Sequence, residues 1–568
     1  MDRIIRVNLT EQKITAEPVS EEYRLSGGRG LTAQLVTAGV PPEANPMGLH
    51  NKLVIAPGLL AGTAMSSASR LSIGAKSPLT GGIKESNSGG TAAAYLARLG
   101  IKAIIVEGET GPGRLRCLYL GRDKAELHPF SHSRMGTYEA ARLLREKYSD
   151  RVSLILVGPA GEMGLAAAGI AVTDLRGRPA RFCGRGGLGA VMGGKGLKAV
   201  IIDPEGTRRT GYANREAFMK TTRELVRLLK ETPQTGEIYP LYGTAIMVEQ
   251  TNAMHALPTR NFSSGSFEKA GEIDGENMRS LIEQRGGAGR TTHACMPGCV
   301  INCSNIFPDA AGEEIVSPLE YETIGLLGSN CAIGSLDHIA RLNYICNDLG
   351  LDTIETGAAL GVAMEQGLLS FGDAAAAEKL LTGIPDNALP GRLIAQGALL
   401  TGRVLGSRRI PTVKGQAMPA YDPRAVKGFG VTFATSPMGA DHTAGSVIRA
   451  QVDHTDPQPQ PALSKGAQLN CMLVDYLGLC LFTLAALGGH LEKVAALVQH
   501  LTGEKCTEKA LKENAARYLA LECAFNRRAG FGPAHNRLPE FMKNEPMPGL
   551  DTVFDVPDEE LDRLHDPR

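Results

Sequence analysis

The sequence predicts an α+β protein, with a β-rich N-terminal domain followed by two mainly α-helical domains. Three observations predict this class: short apolar runs between Gly and Pro in the first 200 residues, amphipathic runs of helical period after them, and two irregular stretches that interrupt the chain. At 568 residues the chain is too long for one core, because domains usually hold about 100–200 residues. We therefore expect domains over 1–207, 208–412 and 413–568.

The N-terminal domain begins with an alternating run at 3–9, which a polar turn joins to a second run at 14–19. Two such runs separated by a short turn are typical of a β-hairpin. The segment 203–216 is polar and lacks periodicity, and it marks the first boundary. Further short runs predict strands over 102–109, 153–162 and 197–203 and helices over 91–100 and 137–148.

The remainder of the chain is predominantly helical. Apolar residues recur at helical spacing over 215–232, 336–350, 374–381 and 491–501. The segment 407–424 breaks this pattern with three prolines and marks the second boundary.

The charge balance and the apolar runs exclude several classes of protein. Lys+Arg and Asp+Glu are 60 each, so no net charge attracts nucleic acid or an anionic membrane. The N-terminus lacks the apolar region of a signal peptide, and the longest apolar run, 477–489, is too short to cross a bilayer. We expect a cytoplasmic protein without membrane insertion. The 11 cysteines are therefore not a disulfide framework, and a clustered subset is expected to bind metal.

Three segments combine glycines with basic residues, at 26–31, 66–90 and 183–200. The third segment contains a G-x-G-x-x-G match, but it lacks the preceding strand and the long following helix of a dinucleotide fold. A glycine-rich hairpin remains an alternative. We favour loops whose backbone N–H groups, with Arg185 and Lys195, face an anionic ligand. Together the three segments indicate a large phosphorylated cofactor.

Three cysteines, Cys295, Cys299 and Cys303, lie four residues apart. On a helix they would share one face, so a stripe of buried core thiols remains an alternative. Pro297 and Gly298 lie between the first two cysteines and favour a loop instead. Structural zinc usually takes paired C-x2-C units, which this sequence lacks. An iron–sulfur cluster is therefore favoured, and such a cluster usually needs a fourth thiolate.

Two short motifs resemble each other, "NDLGLD" at 347–352 and "DYLGLC" at 475–480. Each follows an apolar helical segment, and its glycine suits the C-terminal end of a helix. The pair can be two ordinary helix ends, or two grips on the halves of one ligand. The second copy ends in Cys480, a natural fourth ligand for the three cysteines.

The ordered motifs "GGRGL", "SRLSIGAKSPLTGG…SNSGG", "GRGGLGAVMGGKGLKAV", "EYET", "NDLGLD", "GADHTAG" and "DYLGLC" extend along essentially the whole chain. This set resembles the aldehyde:ferredoxin oxidoreductase family of tungsten, sometimes molybdenum, bis-pterin enzymes. The resemblance implies a β-rich domain that forms a base for two pterins, with two helical domains above it. It implies a tungsten or molybdenum bis-pterin, one [4Fe–4S] cluster, and a Mg²⁺ ion that bridges the pterin phosphates.

The resemblance also assigns residues to these groups. It places at the pterin phosphates and their Mg²⁺ the residues Arg70, Asn87, Arg185 and Gly186. It places in hydrogen-bond contact with the two pterins Asn347, Asp352 and Asp475. It assigns as ligands of the cluster Cys295, Cys299, Cys303 and Cys480. Because Cys480 follows Asp475 by five residues, this arrangement would couple cluster and pterin directly.

Two catalytic residues follow from the same resemblance. Glu322 in "EYET" matches the general base, and His442 in "GADH" matches the histidine that orients or protonates the substrate oxygen. Outside the motif context, Glu322 would be interpreted as a structural acid at a helix start and His442 as a loop histidine.

The sequence departs from the family pattern at three places. Thr292 stands where the first cysteine of the common C-x2-C-x3-C spacing would be, and Cys303 appears downstream instead. Met438 replaces a common arginine, which puts pocket polarity and substrate in question. Asn347 replaces a frequent aspartate, although an amide can still bond a pterin. The chain contains no E-x-x-H, so we predict no iron at a dimer interface.

The implied reaction converts an aldehyde and water to a carboxylate, with electrons leaving through the cluster to ferredoxin or an iron–sulfur electron-transfer subunit. A second hypothesis makes the chain the catalytic subunit of a larger complex with a different reaction, such as reduction of an aromatic acyl-CoA. A third makes it a non-catalytic electron-transfer or pterin-binding subunit. A homo-oligomer is compatible with each of these hypotheses.

Overall fold

The computed structural model describes residues 2–111, 113–207 and 210–566. Two six-stranded β-sheets form its N-terminal part and a mostly helical region follows, which confirms the α+β class. The strands of the first sheet are β1 (Arg3–Asn8), β2 (Lys13–Pro18), β3 (Leu53–Pro57), β4 (Leu71–Lys76), β5 (Ile83–Ser88) and β6 (Ile101–Glu107). Those of the second are β7 (Leu115–Leu120), β8 (Ala125–Phe130), β9 (Ser153–Leu156), β10 (Ile170–Val172), β11 (Arg181–Cys183) and β12 (Leu197–Ile202).

The two sheets repeat one topology. The first has the order β2-β1-β6-β3-β4-β5 and the second has the order β8-β7-β12-β9-β10-β11. In each, an antiparallel hairpin lies beside a parallel strand, and three antiparallel strands complete the sheet. Both sheets contribute to one hydrophobic core, which includes Ile5 and Ile104 of the first and Ile155 and Val200 of the second. The N-terminal part is therefore two copies of one six-stranded motif packed together.

Five helices accompany these sheets: α1 (Gly28–Gly39), α2 (Ala92–Arg98), α3 (Thr137–Tyr148), α4 (Pro159–Glu162) and α5 (Leu188–Gly194). The predicted hairpin and the helices at 91–100 and 137–148 are confirmed. The strand predicted over 153–162 is too long, because it ends at Leu156 and α4 begins at Pro159. Proline suits the first turn of a helix, where its missing N–H has no partner to lose.

The prediction that the three glycine-rich segments are loops is wrong. The first contains the start of α1, the second forms the β4–β5 hairpin, and the third contains α5. Several of these glycines permit close packing instead: a Cβ on Gly30 would lie 2.6 Å from the Tyr518 ring, and one on Gly74 would lie 2.6 Å from Thr32. Glycine in a helix or strand often marks such an approach.

The helical region begins with α6 (Arg215–Glu231). The four helices predicted there are confirmed to within one residue at each end. The helices that follow α6 are, in chain order, α7 (Tyr239–Tyr242), α8 (Met247–Ala253), α9 (Ala270–Ile273), α10 (Gly275–Arg285), α11 (Tyr321–Thr323), α12 (Leu336–Leu349), α13 (Thr353–Glu365), α14 (Ala374–Thr382), α15 (Leu389–Ile394), α16 (Ala398–Leu405), α17 (Lys427–Thr435), α18 (Gln460–Leu477), α19 (Leu484–Leu487), α20 (Leu491–Thr502), α21 (Glu508–Arg528), α22 (Phe541–Asn544) and α23 (Asp558–Arg563). Two small sheets join them, formed by β13 (Arg290–His293), β14 (Ser304–Pro308) and β15 (Glu314–Val316), and by β16 (Thr412–Val413) and β17 (Gln416–Ala417). The four confirmed helices are α6, α12, α14 and α20.

One large hydrophobic core joins side chains from Ala160 to Leu564, and so includes residues on both sides of the first and of the second predicted boundary. The second predicted boundary, between 412 and 413, falls inside β16. The first predicted boundary lies between 207 and 208, and residues 208 and 209 are outside the described part of the chain. The three-domain division stays a prediction.

Within the described residues, no single helix has both the length and the apolar composition needed to cross a membrane. The helix α18 and the segment Leu481–Leu487 have that length and apolar composition only when they are taken together, and the chain bends by 116° between them.

Candidate active site

The two repeated motifs end their helices in the same way. Gly350 follows α12 with φ +76°, and Gly478 follows α18 with φ +78°. This left-handed conformation favours glycine and closes a helix C-terminus. Each turn lies against a glycine of the N-terminal part: a Cβ on Gly58 would lie 2.1 Å from Gly478 Cα, and one on Gly158 would lie 2.3 Å from the Leu349 carbonyl oxygen. Both close approaches therefore require glycine.

The two motifs dock on equivalent places of the duplicated sheets. The Cys480 N–H donates to the Ser67 carbonyl at 2.8 Å, and the Asp352 N–H donates to the Ala167 carbonyl at 2.9 Å. Ser67 lies just before β4 and Ala167 just before β10, which occupy the same position in the two sheets. The motifs are therefore a related pair rather than two independent helix ends.

A cavity of about 660 Å³ lies between these docking points. Two of the predicted site residues, Gly186 and Cys299, do not line this cavity. Arg185, which precedes Gly186, and Cys295, which lies in the same loop as Cys299, do line it. The other predicted site residues all line it, namely Arg70, Asn87, Arg185, Asn347, Asp352, Asp475, Cys295, Cys303, Cys480, Glu322 and His442.

The three cysteines lie in the loop between β13 and β14 rather than on a helix. The neighbouring Cys295 thiol lowers the pKa of Cys299 to about 6. Ser67 connects the loop to the fourth cysteine, because its hydroxyl donates to Cys299 Sγ at 3.4 Å and its carbonyl accepts from the Cys480 N–H. Burial raises the pKa of the Cys303 thiol, and the nearby Cys480 and Cys299 add to the rise.

These thiols do not form a site for one ion. Among the described residues, no three His, Cys, Asp or Glu side chains could hold a single metal ion. A [4Fe–4S] cluster places each of its four thiolates on a different iron and so takes thiols that are further apart. Four convergent thiols from two segments are the donor set that such a cluster requires.

A chain of polar contacts connects Arg70 to Asp475. Arg70 Nη2 donates to the Asn87 carbonyl at 3.2 Å, and Asn87 Nδ2 donates to Asp475 Oδ1 at 3.2 Å. Burial raises the pKa of Asp475 to about 8. Behind Asp475, Arg29 binds both oxygens of Glu522 at 2.9 and 2.7 Å. Carboxylates therefore already occupy the guanidinium of the arginine in the glycine-rich segment 26–31.

Arg185 contacts the first repeated motif as Asn87 contacts the second, through an aspartate carboxylate. Its Nε lies 3.2 Å from Asp352 Oδ2, and its other nitrogens donate to the Ala440 and Ala417 carbonyls at 2.6 and 2.7 Å. Lys195 points elsewhere: its ammonium lies 3.4 Å from the Gly108 carbonyl and does not line the cavity. The expectation that Lys195 faces the ligand is wrong, since α5 separates it from Arg185.

Gly186 and Asn347 adjoin these contacts. Gly186 has φ +85°, and a Cβ on it would lie 2.3 Å from Lys84 Cγ. The hydroxyl of Ser77 donates to the Gly186 carbonyl oxygen at 2.7 Å. Asn347 lies at the end of α12, where the Thr137 hydroxyl donates to its carbonyl at 2.9 Å. The side-chain amide of Asn347 donates to the Tyr138 hydroxyl at 3.5 Å, and the residue lines the cavity.

Glu322 and His442 face each other across the cavity wall. Glu322 Oε2 accepts from the Ala420 N–H at 2.9 Å, and its Oε1 lies 3.5 Å from His442 Nδ1. Neither Oε1 nor Nδ1 has a hydrogen-bond partner among the described residues, although both are buried. Burial raises the pKa of Glu322. Glu322 lies in α11, two residues before a π-helical turn at Ile324–Gly328, a feature frequent at functional sites.

Asp441 and Lys84 form a buried ion pair of 3.0 Å beside His442. Burial opposes the charged form of Asp441, but the Lys84 ammonium and the Arg185 guanidinium hold its pKa well below the usual range. Met438 packs on Lys84, with its sulfur 3.7 Å from the ammonium, and does not line the cavity. The substitution at Met438 therefore acts behind the wall of the cavity.

Sequence reasoning missed several residues of the cavity. Arg181 and Glu320 both line it, yet only their neighbours Arg185 and Glu322 were assigned. Arg181 lies two residues before the glycine-rich segment 183–200, and Glu320 is the first residue of the motif "EYET". Their closeness to these motifs was the only signal in the sequence. Their chemistry depends on partners that the sequence does not show.

The residues present fit a large polar cofactor. The cavity has the size of a site for a small molecule or cofactor, and buried polar atoms normally have hydrogen-bond partners. At least four atoms of its lining residues have none among the described residues: Glu322 Oε1, His442 Nδ1, and Nε and Nη2 of Arg181. A ligand with polar groups would satisfy them.

Comparisons with known proteins agree with this architecture. Residues 4–204 match the model of the aldehyde ferredoxin oxidoreductase N-terminal domain, and residues 220–566 match that of its domains 2 and 3. The tungsten-containing aldehyde ferredoxin oxidoreductase of Thermococcus kodakarensis is 33% identical over 96% of this chain and 92% of its own length. That of Pyrococcus furiosus is 32% identical over the same shares.

A solved structure has the same fold. The matching chain belongs to the active-site complex of benzoyl coenzyme A reductase with 1,5-dienoyl-CoA. It superposes with a TM-score of 0.80 over 97% of this chain and 92% of its own, at 20% identity. The family models together cover nearly the whole sequence, and the relatives match it at about one third identity. The chain therefore belongs to the aldehyde ferredoxin oxidoreductase family.

Proposed function

We propose that this protein oxidises an aldehyde to a carboxylic acid and passes the electrons through a [4Fe–4S] cluster to ferredoxin or a similar iron–sulfur protein. The observation that carries this proposal is the pair of Glu322 and His442 in the cavity that three of the four assigned cysteines line. Among the residues that the structure describes, the facing atoms of this pair have no hydrogen-bond partner. A proton acceptor and a proton donor at one point are what oxygen addition to a carbonyl carbon needs.

The residues of the two docking points would hold the cofactors. When bound, a tungsten or molybdenum bis-pterin supplies a two-electron acceptor, and the cluster carries electrons away singly. We assign to the pterin phosphates and their Mg²⁺ the residues Arg70, Asn87, Arg185 and Gly186, and to the two pterins Asn347, Asp352 and Asp475. We assign to the cluster Cys295, Cys299, Cys303 and Cys480.

The protein's own residues then handle the protons. The net reaction turns an aldehyde and water into a carboxylate, three protons and two electrons. Glu322 Oε1 accepts the O–H proton of the water or of the hydrated aldehyde, while the Ala420 N–H fixes its other oxygen. His442 orients the carbonyl oxygen and donates a hydrogen bond to it. The Lys84–Asp441 pair beside His442 keeps this wall of the cavity in place.

The pH dependence should report the environment of Glu322. Burial raises its pKa, so Glu322 keeps its proton at pH values where an exposed glutamate has lost it. A protonated Glu322 cannot accept a proton, so kcat/KM should increase as the pH rises through this raised pKa. A profile of kcat/KM measures the acidic limb, and its midpoint is expected above the usual carboxyl range. An identical limb in the residual activity of Glu322→Gln would contradict the assignment.

Metal analysis of anaerobically purified protein tests the proposal as a whole. We expect about four irons and one tungsten or molybdenum per chain. A panel of aldehydes with a viologen acceptor then tests the reaction. Iron without tungsten or molybdenum would overturn the pterin assignment and favour a non-catalytic electron-transfer subunit.

A second candidate is a catalytic subunit of a larger complex with another reaction. Two similarities favour it: the solved chain of the same fold belongs to a benzoyl coenzyme A reductase complex, and a further relative, 27% identical over 79% of this chain, is a subunit of an aliphatic sulfonate oxidoreductase of Pyrococcus furiosus. Full metal content without turnover of any aldehyde would favour this candidate.

A further inference from the structure

Arg181 is a buried arginine that lines the cavity, and two of its guanidinium nitrogens have no hydrogen-bond partner among the described residues. It begins β11 and is 6% exposed. Its Nε and Nη2 atoms are buried and donate no hydrogen bond to any described residue. Arg29 and Arg185, which are equally buried, each contact a carboxylate. An arginine stays charged in proteins, and a buried charge without a counter-ion is strongly unfavourable. The cavity should therefore hold an anion beside Arg181.

The groups that share the cavity with Arg181 indicate which anion this is. Cys295 and Cys303, two of the four cysteines assigned to the cluster, line the same cavity as Arg181. The positive charge of Arg181 acts on the thiols of both cysteines, and that of Arg70 acts on Cys480 and Cys295.

The positive charge of Arg181 also acts on two carboxylates, Glu320 and Asp174, and each is a poor counter-ion. One of the Glu320 carboxylate oxygens accepts from the Thr244 hydroxyl, so Glu320 already has a partner. Burial raises the pKa of Glu320, which favours its neutral form. Asp174 is already bound by Arg178 at 2.6 Å and does not line the cavity. The described carboxylates therefore leave the Arg181 guanidinium to a ligand in the cavity that Cys295 and Cys303 also line.

We propose that Arg181 is a positioning residue that supplies a fixed positive charge to the cysteine-bound cluster and raises its reduction potential. The inference rests on the proposed [4Fe–4S] site. A cluster with four thiolates is an anion, and reduction adds one further negative charge. A buried positive charge stabilises the more negative state more strongly, because the surrounding dielectric is low.

The test compares Arg181→Gln with Arg181→Lys in the anaerobically purified holoenzyme, by a potentiometric titration that follows the cluster by electron paramagnetic resonance. Arg181→Gln removes the charge and should lower the potential. We expect at least a tenfold fall in the ratio of reduced to oxidised cluster at a fixed potential, which is about 59 mV for one electron. Arg181→Lys keeps the charge and should retain most of the wild-type value.

Arg449→Gln is the matched control. Arg449 lines the same cavity but is exposed, and it donates to the Tyr239 hydroxyl at 2.5 Å. Water screens a charge at such a position, so its removal should shift the potential much less. An equal shift in Arg449→Gln and Arg181→Gln would overturn the inference, as would an unchanged potential in a fully loaded Arg181→Gln.

Loss of the cluster is also informative. If folded Arg181→Gln lacks iron while Arg181→Lys holds about four irons, the charge is needed to assemble the anionic cluster, which supports the inference. If both variants lack iron, or both shift the potential equally, the charge is not what matters and the inference fails. If the wild-type protein lacks a cluster, the proposed function fails first, independently of Arg181.

Discussion

Replacing Glu322 by glutamine is expected to lower kcat for aldehyde oxidation at least about 100-fold, the smallest factor usual for a general base. The amide has nearly the shape of the carboxylate and can keep the bond to the Ala420 N–H through its oxygen. It cannot accept the substrate proton. Steady-state rates with a viologen acceptor measure the effect, and KM should change much less than kcat.

Two controls accompany this experiment. The metal content of Glu322→Gln should equal that of the wild type, which separates lost chemistry from lost cofactor. Glu320→Gln makes the same chemical change two residues earlier in the same cavity, where the side chain bonds Thr244 instead of facing His442. It should retain far more activity. Full activity of Glu322→Gln at full metal content would show that Glu322 is not the base.

Replacing Cys303 by serine is expected to abolish the intact [4Fe–4S] cluster. A serine hydroxyl is a poor ligand for cluster iron, and the site would keep three of its four thiolates. Iron should fall below the wild-type value of about four per chain, and the resonance signal of the reduced cluster should disappear. Iron analysis and the spectrum measure this directly, whatever the substrate is.

Cys331→Ser is the matched control for this variant. Cys331 is fully buried outside the cavity, and its thiol donates to the Leu326 and Gly357 carbonyls at 3.3 and 3.5 Å. A hydroxyl can replace those bonds, so this variant should keep the full cluster. An intact cluster in Cys303→Ser would show that the assignment of its four ligands is wrong.

Local patterns of the sequence predicted much of the fold. The alternating runs at 3–9 and 14–19 pair as a hairpin, and helices such as α6 and α12 begin where predicted, because side-chain period follows from backbone geometry. Gly350 and Gly478 end their helices for the same local reason. The glycine-rich segments were wrongly predicted to be loops, because several of their glycines instead allow close contact with another part of the chain.

The duplication of the two sheets was not visible in the sequence. Their strands carry different residues, and only the order of pairing repeats. Strand order depends on contacts between residues far apart in the chain, which periodicity does not encode. The same holds for the large core that joins both sides of the second predicted boundary.

The sequence by itself determined the α+β class, the cysteine group and the family resemblance, because these depend on residue type, spacing and order. Only the tertiary structure decided which charges are free. Arg29 lies within one glycine-rich segment and Arg181 beside another, yet Glu522 binds Arg29, while Nε and Nη2 of Arg181 have no hydrogen-bond partner in the described part of the chain. The partner of Arg29 lies 493 residues away in the chain, so packing alone decides which guanidinium remains available.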